Sequence, residues 1–141
     1  MIVRNRVRFA IVWLVFSCAS ATAGFAADDP ARERYLLHCS GCHRLDGVGV
    51  PGTTPSLHGL GALLEHAGGR AYLGSVPGVA QAPLGDAELA RLLNWVIETF
   101  SGAPPEPPYT ADEMTRLRAA PLRDPAAARA ALRPPPEAGR P

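Results

Sequence analysis

Lysine is absent from this chain of 141 residues, so all 14 of its basic groups are arginine, set against 13 acidic groups. No dense basic patch occurs, which removes nucleic acid from the partners this chain is built for. No phosphate loop, Ser/His/Asp constellation or pair of carboxylates placed for acid–base work occurs either, which leaves little room for catalysis by side chains alone. No apolar run approaches the roughly twenty residues that span a bilayer. Methionine appears only as Met1 and Met114, and cysteine only as Cys18, Cys39 and Cys42.

What is present begins with residues 1–27, which have the layout of a secretory signal. Arg4, Arg6 and Arg8 form a basic start, Phe9 to Phe16 an apolar stretch, and Ala21-Thr22-Ala23 or Gly24-Phe25-Ala26 a small-residue cleavage site. Its removal leaves 11 arginines against 13 acidic groups in an exported, periplasmic chain with no membrane span. Cys18 leaves with the signal. Its alternative use, as a lipid anchor, rests on Val15-Phe16-Ser17-Cys18, in which Phe16 fits a lipobox poorly. About 115 residues remain, enough for one small domain with a modest core.

The exported chain keeps two cysteines, and they stand in Cys39-Ser40-Gly41-Cys42-His43. A Cys-x-x-Cys-His run reads as a c-type haem attachment site, with two thioethers to the porphyrin and the following imidazole on its iron. On a helix, positions i, i+3 and i+4 share a face, so Cys39, Cys42 and His43 all address one flat cofactor. A thioredoxin-like pair calls for a βαβ setting, and no Val/Ile-rich strand leads into Cys39. A structural zinc site calls for four ligands, and no second Cys/His pair follows at motif spacing.

The surrounding pattern is helical. Asp28-Asp29-Pro30 marks a helix start, and the helix carries the motif. Residues 45–61 are rich in Gly, Pro and Thr and read as an extended loop. Short helices are expected from Ala62 to His66 and from Arg70 to Leu73, then a second loop from Gly74 to Gly85. Asp86 N-caps a helix to Phe100, on which Leu89, Leu92, Leu93, Val96, Ile97 and Phe100 form one apolar stripe. From Ala103 onward ten of the chain's 15 prolines are gathered. Thr110-Ala111-Asp112-Glu113 and Asp124-Pro125 are helix starts within this tail, and Pro134-Pro135-Pro136 onward reads as disordered. The expected division is therefore a signal at 1–27, a haem domain at 28–102 and a proline-rich appendage at 103–141.

Three places resemble the class I cytochromes c, over about residues 29–101. The first is Cys39-Ser40-Gly41-Cys42-His43. The second is Thr54-Pro55-Ser56-Leu57-His58-Gly59-Leu60, similar to the family's Gly-Pro-Asn-Leu-His-Gly-Leu. The third is Val76-Pro77-Gly78-Val79-Ala80-Gln81, similar to an Ile-Pro-Gly-x-x-Met segment that brings the family's sixth iron ligand. The resemblance implies an all-α, cytochrome c-like bundle of about four short helices wrapped around one covalent haem c, with long Gly/Pro-rich loops. It also implies that the carbonyl of Pro55 orients His43, the proximal iron ligand, and that His58 is not a ligand.

Where the family has methionine, this chain has Gln81. Three residues therefore compete for the distal position: Gln81, as a weak ligand or none; His66; and Met114, brought back by the tail. The implied function is a periplasmic monohaem one-electron carrier, or the cytochrome partner of a periplasmic redox enzyme, rather than an enzyme. Its redox partner would be a dehydrogenase, an oxidase or another cytochrome, met through Arg44, Arg70 and Arg91 in place of a lysine collar. A weak or vacant sixth site implies the alternative, a haem that binds NO, CO, O₂ or peroxide.

Overall fold

The computed structural model describes residues 29–132. The signal-like segment with Cys18, and the run from Pro134, lie outside them. Every regular element among the described residues is helical, and pairing of extended backbone is limited to one bridge between Val50 and Thr54.

Helix α1 (Pro30–His38) starts as its sequence dictates, with Pro30 at N1 and the Asp29 carboxylate accepting from the Ala31 N–H at 2.9 Å. Cys39 interrupts it, and a single turn, α2 (Ser40–His43), resumes immediately. The main helix is α6 (Asp86–Ser101), whose Leu89, Leu92, Leu93, Val96 and Ile97 are all buried. Each such side chain contributes roughly 1.5–3 kcal/mol on leaving water, which makes this stripe the spine of the core. Gly85, not Asp86, precedes the first turn, and the Glu88 carboxylate reaches back to its N–H at 3.4 Å. Asp86 is engaged instead by Arg118 at 2.6 Å. Helix α1 packs on α6, and Tyr35 stacks at a tilt against Trp95 and Phe100 with ring centroids 5.5 and 5.3 Å away.

Between these lie α3 (Leu60–Leu64) and α4 (Gly69–Ser75). The expected 74–85 loop contains a further turn, α5 (Pro77–Ala80). Val76 is extended, as a residue before proline prefers, and Pro77 supplies the helical φ of an N1 position.

The proline-rich tail is no loose appendage over its described part. It forms α7 (Ala111–Arg118), capped by Thr110, and α8 (Pro125–Ala131), capped by Asp124. Tyr109 and Met114, 3% and 0% exposed, belong to the same core as the α6 stripe. Composition misled here because proline reports backbone restriction, whereas docking depends on distant polar pairs. Asn94 brackets the backbone of Tyr109 (2.7 and 3.0 Å), and Arg70 takes both Glu113 oxygens (2.6 and 2.7 Å). Gly74 allows the closest approach of α4 to α7, since a Cβ there would fall 2.3 Å from Leu117 Cδ1.

Candidate functional site

Cys39 and Cys42 are one helical turn apart because the backbone folds directly back on Cys39: the N–H groups of Cys42 and His43 donate to its carbonyl at 3.2 and 2.9 Å. Neither thiol is in a disulfide. Burial, and then Cys42, push the Cys39 thiol up to about 11. A redox-active Cys-x-x-Cys needs the opposite shift, so this pair is not poised for thiol–disulfide exchange.

The chain leaves α2 through Arg44, at φ 66° and ψ 170°, a conformation otherwise left to glycine. Two bonds hold it there: its N–H donates to Ser40 (2.7 Å), and its carbonyl accepts the Tyr35 hydroxyl (2.6 Å). The 45–59 loop then closes on itself. Gly49 donates to the carbonyl of His43 (3.1 Å) and Leu57 to that of Gly47 (2.8 Å). Gly49 has φ +75°, and a Cβ there would lie 2.4 Å from the Thr54 carbonyl oxygen, so only glycine permits this closure.

The closure delivers Pro55. Its carbonyl accepts from His43 Nδ1 at 3.1 Å, so the proton is on Nδ1 and the Nε2 lone pair is left for a metal. Burial holds the His43 imidazole below its ordinary value, partly offset by that hydrogen bond, so the neutral ring is favoured. His58, further along the same loop, donates through Nε2 to the carbonyl of Asp46 at 2.7 Å, which makes it a strut of the loop.

Cys39, Cys42 and His43 share one cavity of about 280 Å³. Tyr35, Leu57, Leu60 and the α6 residues Leu89, Leu92, Leu93 and Val96 line it, together with His38 of α1, Tyr72, Val76, Val79 and Ala82, and Pro125 and Arg129 of α8. Two thiols, a neutral oriented imidazole and an apolar lining suit a flat apolar cofactor held covalently at one edge.

No family model matches the chain. It is 34% identical over 118 residues to a cytochrome c-552 of Thermus thermophilus, covering 68% of this chain and 80% of that protein. The chain belongs to the class I c-type cytochromes. Another cytochrome c-552 of Thermus thermophilus is 34% identical over 108 residues, covering 61% of this chain and 82% of that protein. The cofactor of this cytochrome is haem c, and its role is that of a monohaem electron carrier.

The three residues that competed for the distal position are scattered. Gln81 is exposed, in a shallow recess that adjoins the cavity through His38, Gly78 and Ala82, and it is not among the cavity's own lining residues. Met114 is fully buried between α6 and α7, and His66 lies in the turn between α3 and α4. None of the three lines the cavity. Of the arginines expected to meet a partner, Arg44 and Arg91 are exposed. Arg70 is occupied by Glu113 and by the ring of Tyr109, 4.0 Å beneath it.

Sequence reading passed over Arg118, which donates to the carbonyls of Ala80, Ala82 and Leu84 (2.9, 2.7 and 2.7 Å) as well as to Asp86. No local pattern marks such a residue. It also passed over Arg129, although the spacing from Pro125 puts both on one face of a capped helix.

Proposed function

We propose that this cytochrome is an exported, periplasmic one-electron carrier that serves a redox enzyme or a second cytochrome. In this reading Cys39 and Cys42 form the thioethers and His43 ligates the iron through Nε2. The observation that carries it is the Nδ1–H of His43 fixed on the carbonyl of Pro55 at the wall of an apolar cavity shared with both thiols. Bound there, haem supplies a one-electron ferric/ferrous couple.

The chain's own part is to hold that group still and dry. Pro55 fixes the ring and raises its basicity, and the α6 leucines keep water from the interior face. Cys42 is exposed. The cofactor edge it holds therefore lies near the surface, where an electron can leave. Leu37 and Leu45 flank the motif, 63% and 75% exposed, and support docking by apolar contact rather than through a ring of lysines. Among the described residues no helix is long and apolar enough to cross a membrane, and export of the remainder rests on the signal-like segment.

Spectroelectrochemistry of the mature protein tests the carrier reading. One reversible wave with one-electron slope is expected, together with recovery of the protein in the periplasmic fraction. An irreversible response, or retention in the cytoplasm of a host that matures such cytochromes, contradicts it.

A further inference from the structure

We propose that the cavity wall formed by α4, α5 and α8 is a binding site for a small anion on the side of the haem away from His43, with Tyr72 and Arg129 as its donors. The proposal rests on the haem reading above, though not on the identity of any redox partner.

Three observations meet there. First, among the described residues none of Gln81, His66 and Met114 lines this cavity; the apolar members of the wall are Val76, Val79, Ala82 and Pro125, none of which binds iron. Second, the segment that bears them does not depend on an iron bond for its course. Arg118 grips it at three carbonyls and at Asp86, Ser75 Oγ donates to the Leu117 carbonyl (3.1 Å), and Leu122 donates to that of Ser75 (2.9 Å). A segment anchored from the tail is held by protein contacts alone. Third, besides the imidazole of His38, two hydrogen-bond donors line the same cavity with no other employment among the described residues. Tyr72 is 7% exposed, and its hydroxyl makes no hydrogen bond to any of them. Arg129 is half-buried, and its guanidinium makes neither an ion pair nor a hydrogen bond with them.

A hydroxyl and a permanent cation set in an apolar wall select for negative charge, because charge-assisted hydrogen bonds strengthen where water is scarce. Azide and nitrite are small anions of the class that such a pair of donors selects. Carbon monoxide, neutral and a poor acceptor, would use the same face without calling on either donor.

Optical titration of the purified holoprotein tests this, with azide as the probe for the ferric form and CO for the ferrous form. Both are expected to bind and shift the spectrum. Tyr72→Phe and Arg129→Gln should each weaken azide about tenfold or more, as loss of a hydrogen bond to a charged group does, while CO affinity changes less than about twofold. Arg129→Lys, which keeps the charge, should retain most of the azide affinity. A coloured, low-spin protein indifferent to both probes overturns the proposal, since a side chain then fills the site. Equal azide affinity in wild type and both variants overturns the role of the two donors. Colourless protein would instead contradict the haem assignment itself.

Discussion

The two walls of the haem cavity are held in different ways. The wall that carries His43 is closed by near neighbours: His43 with Pro55, Gly49 with His43, and His58 with Asp46 are each separated by twelve residues or fewer. The wall formed by α4 and α5 is held by the tail across 32 to 43 positions, through Arg70, Ser75, Arg118 and their partners. Local closure makes the ligand geometry a property of one short segment. Remote closure makes the wall of α4 and α5 depend on residues 103–132.

The largest break in this contrast should come from Met114→Ala, which opens a cavity where α7 meets the core. Truncation at a fully buried site costs about 2–5 kcal/mol, read as a lower midpoint in denaturant. Next, Arg118→Ala leaves three carbonyls without this donor and Asp86 with the Thr115 hydroxyl alone. A loss of about 2–3 kcal/mol is expected, with amides 76–85 exchanging faster while those of 47–57 keep their protection. Equal acceleration of both segments would show that the walls are not independent.

A smaller effect, of opposite sign, is expected on the His43 side. Arg44→Gly relieves a backbone conformation foreign to side chains and should stabilise the protein by about 1 kcal/mol. Smallest is the acid response of the tail's anchor. The hydroxyl of Thr115, then Arg118, hold the Asp86 carboxyl below its ordinary 3.8. Because the folded value is the lower one, the associated stability is present above 3.8 and lost as pH falls through the folded value. Asp86→Asn should flatten the stability curve in that acid window, and an unchanged slope would show that the pair contributes nothing.

The same contrast explains what could be read from the chain beforehand. The grouping of Cys39, Cys42 and His43 at one cavity was legible because their spacing is a local geometric statement. Helix α6 was legible because its stripe repeats with the helical period, and the starts of α1, α7 and α8 because Asp29, Thr110 and Asp124 are local caps. The wall of α4 and α5 was not. Arg118, Arg70 and Asn94 act on partners far along the chain, and nothing in their neighbours announces it. Proline content marked residues 103–132 as separate, whereas Tyr109 and Met114 bury them in the core. The resemblance implied that Gln81 stands where the family's distal ligand does; α5 turns within the loop, and Gln81 is not among the residues that line the cavity.

The most direct test of one covalent haem held by Cys39 and Cys42 is the intact mass of the denatured mature protein beside that of the Cys39→Ala, Cys42→Ala double variant. The wild-type chain should exceed the mass of its amino acids by one haem, and the double variant should not. A wild-type mass equal to the polypeptide alone, or haem retained covalently by the double variant, would contradict the assignment.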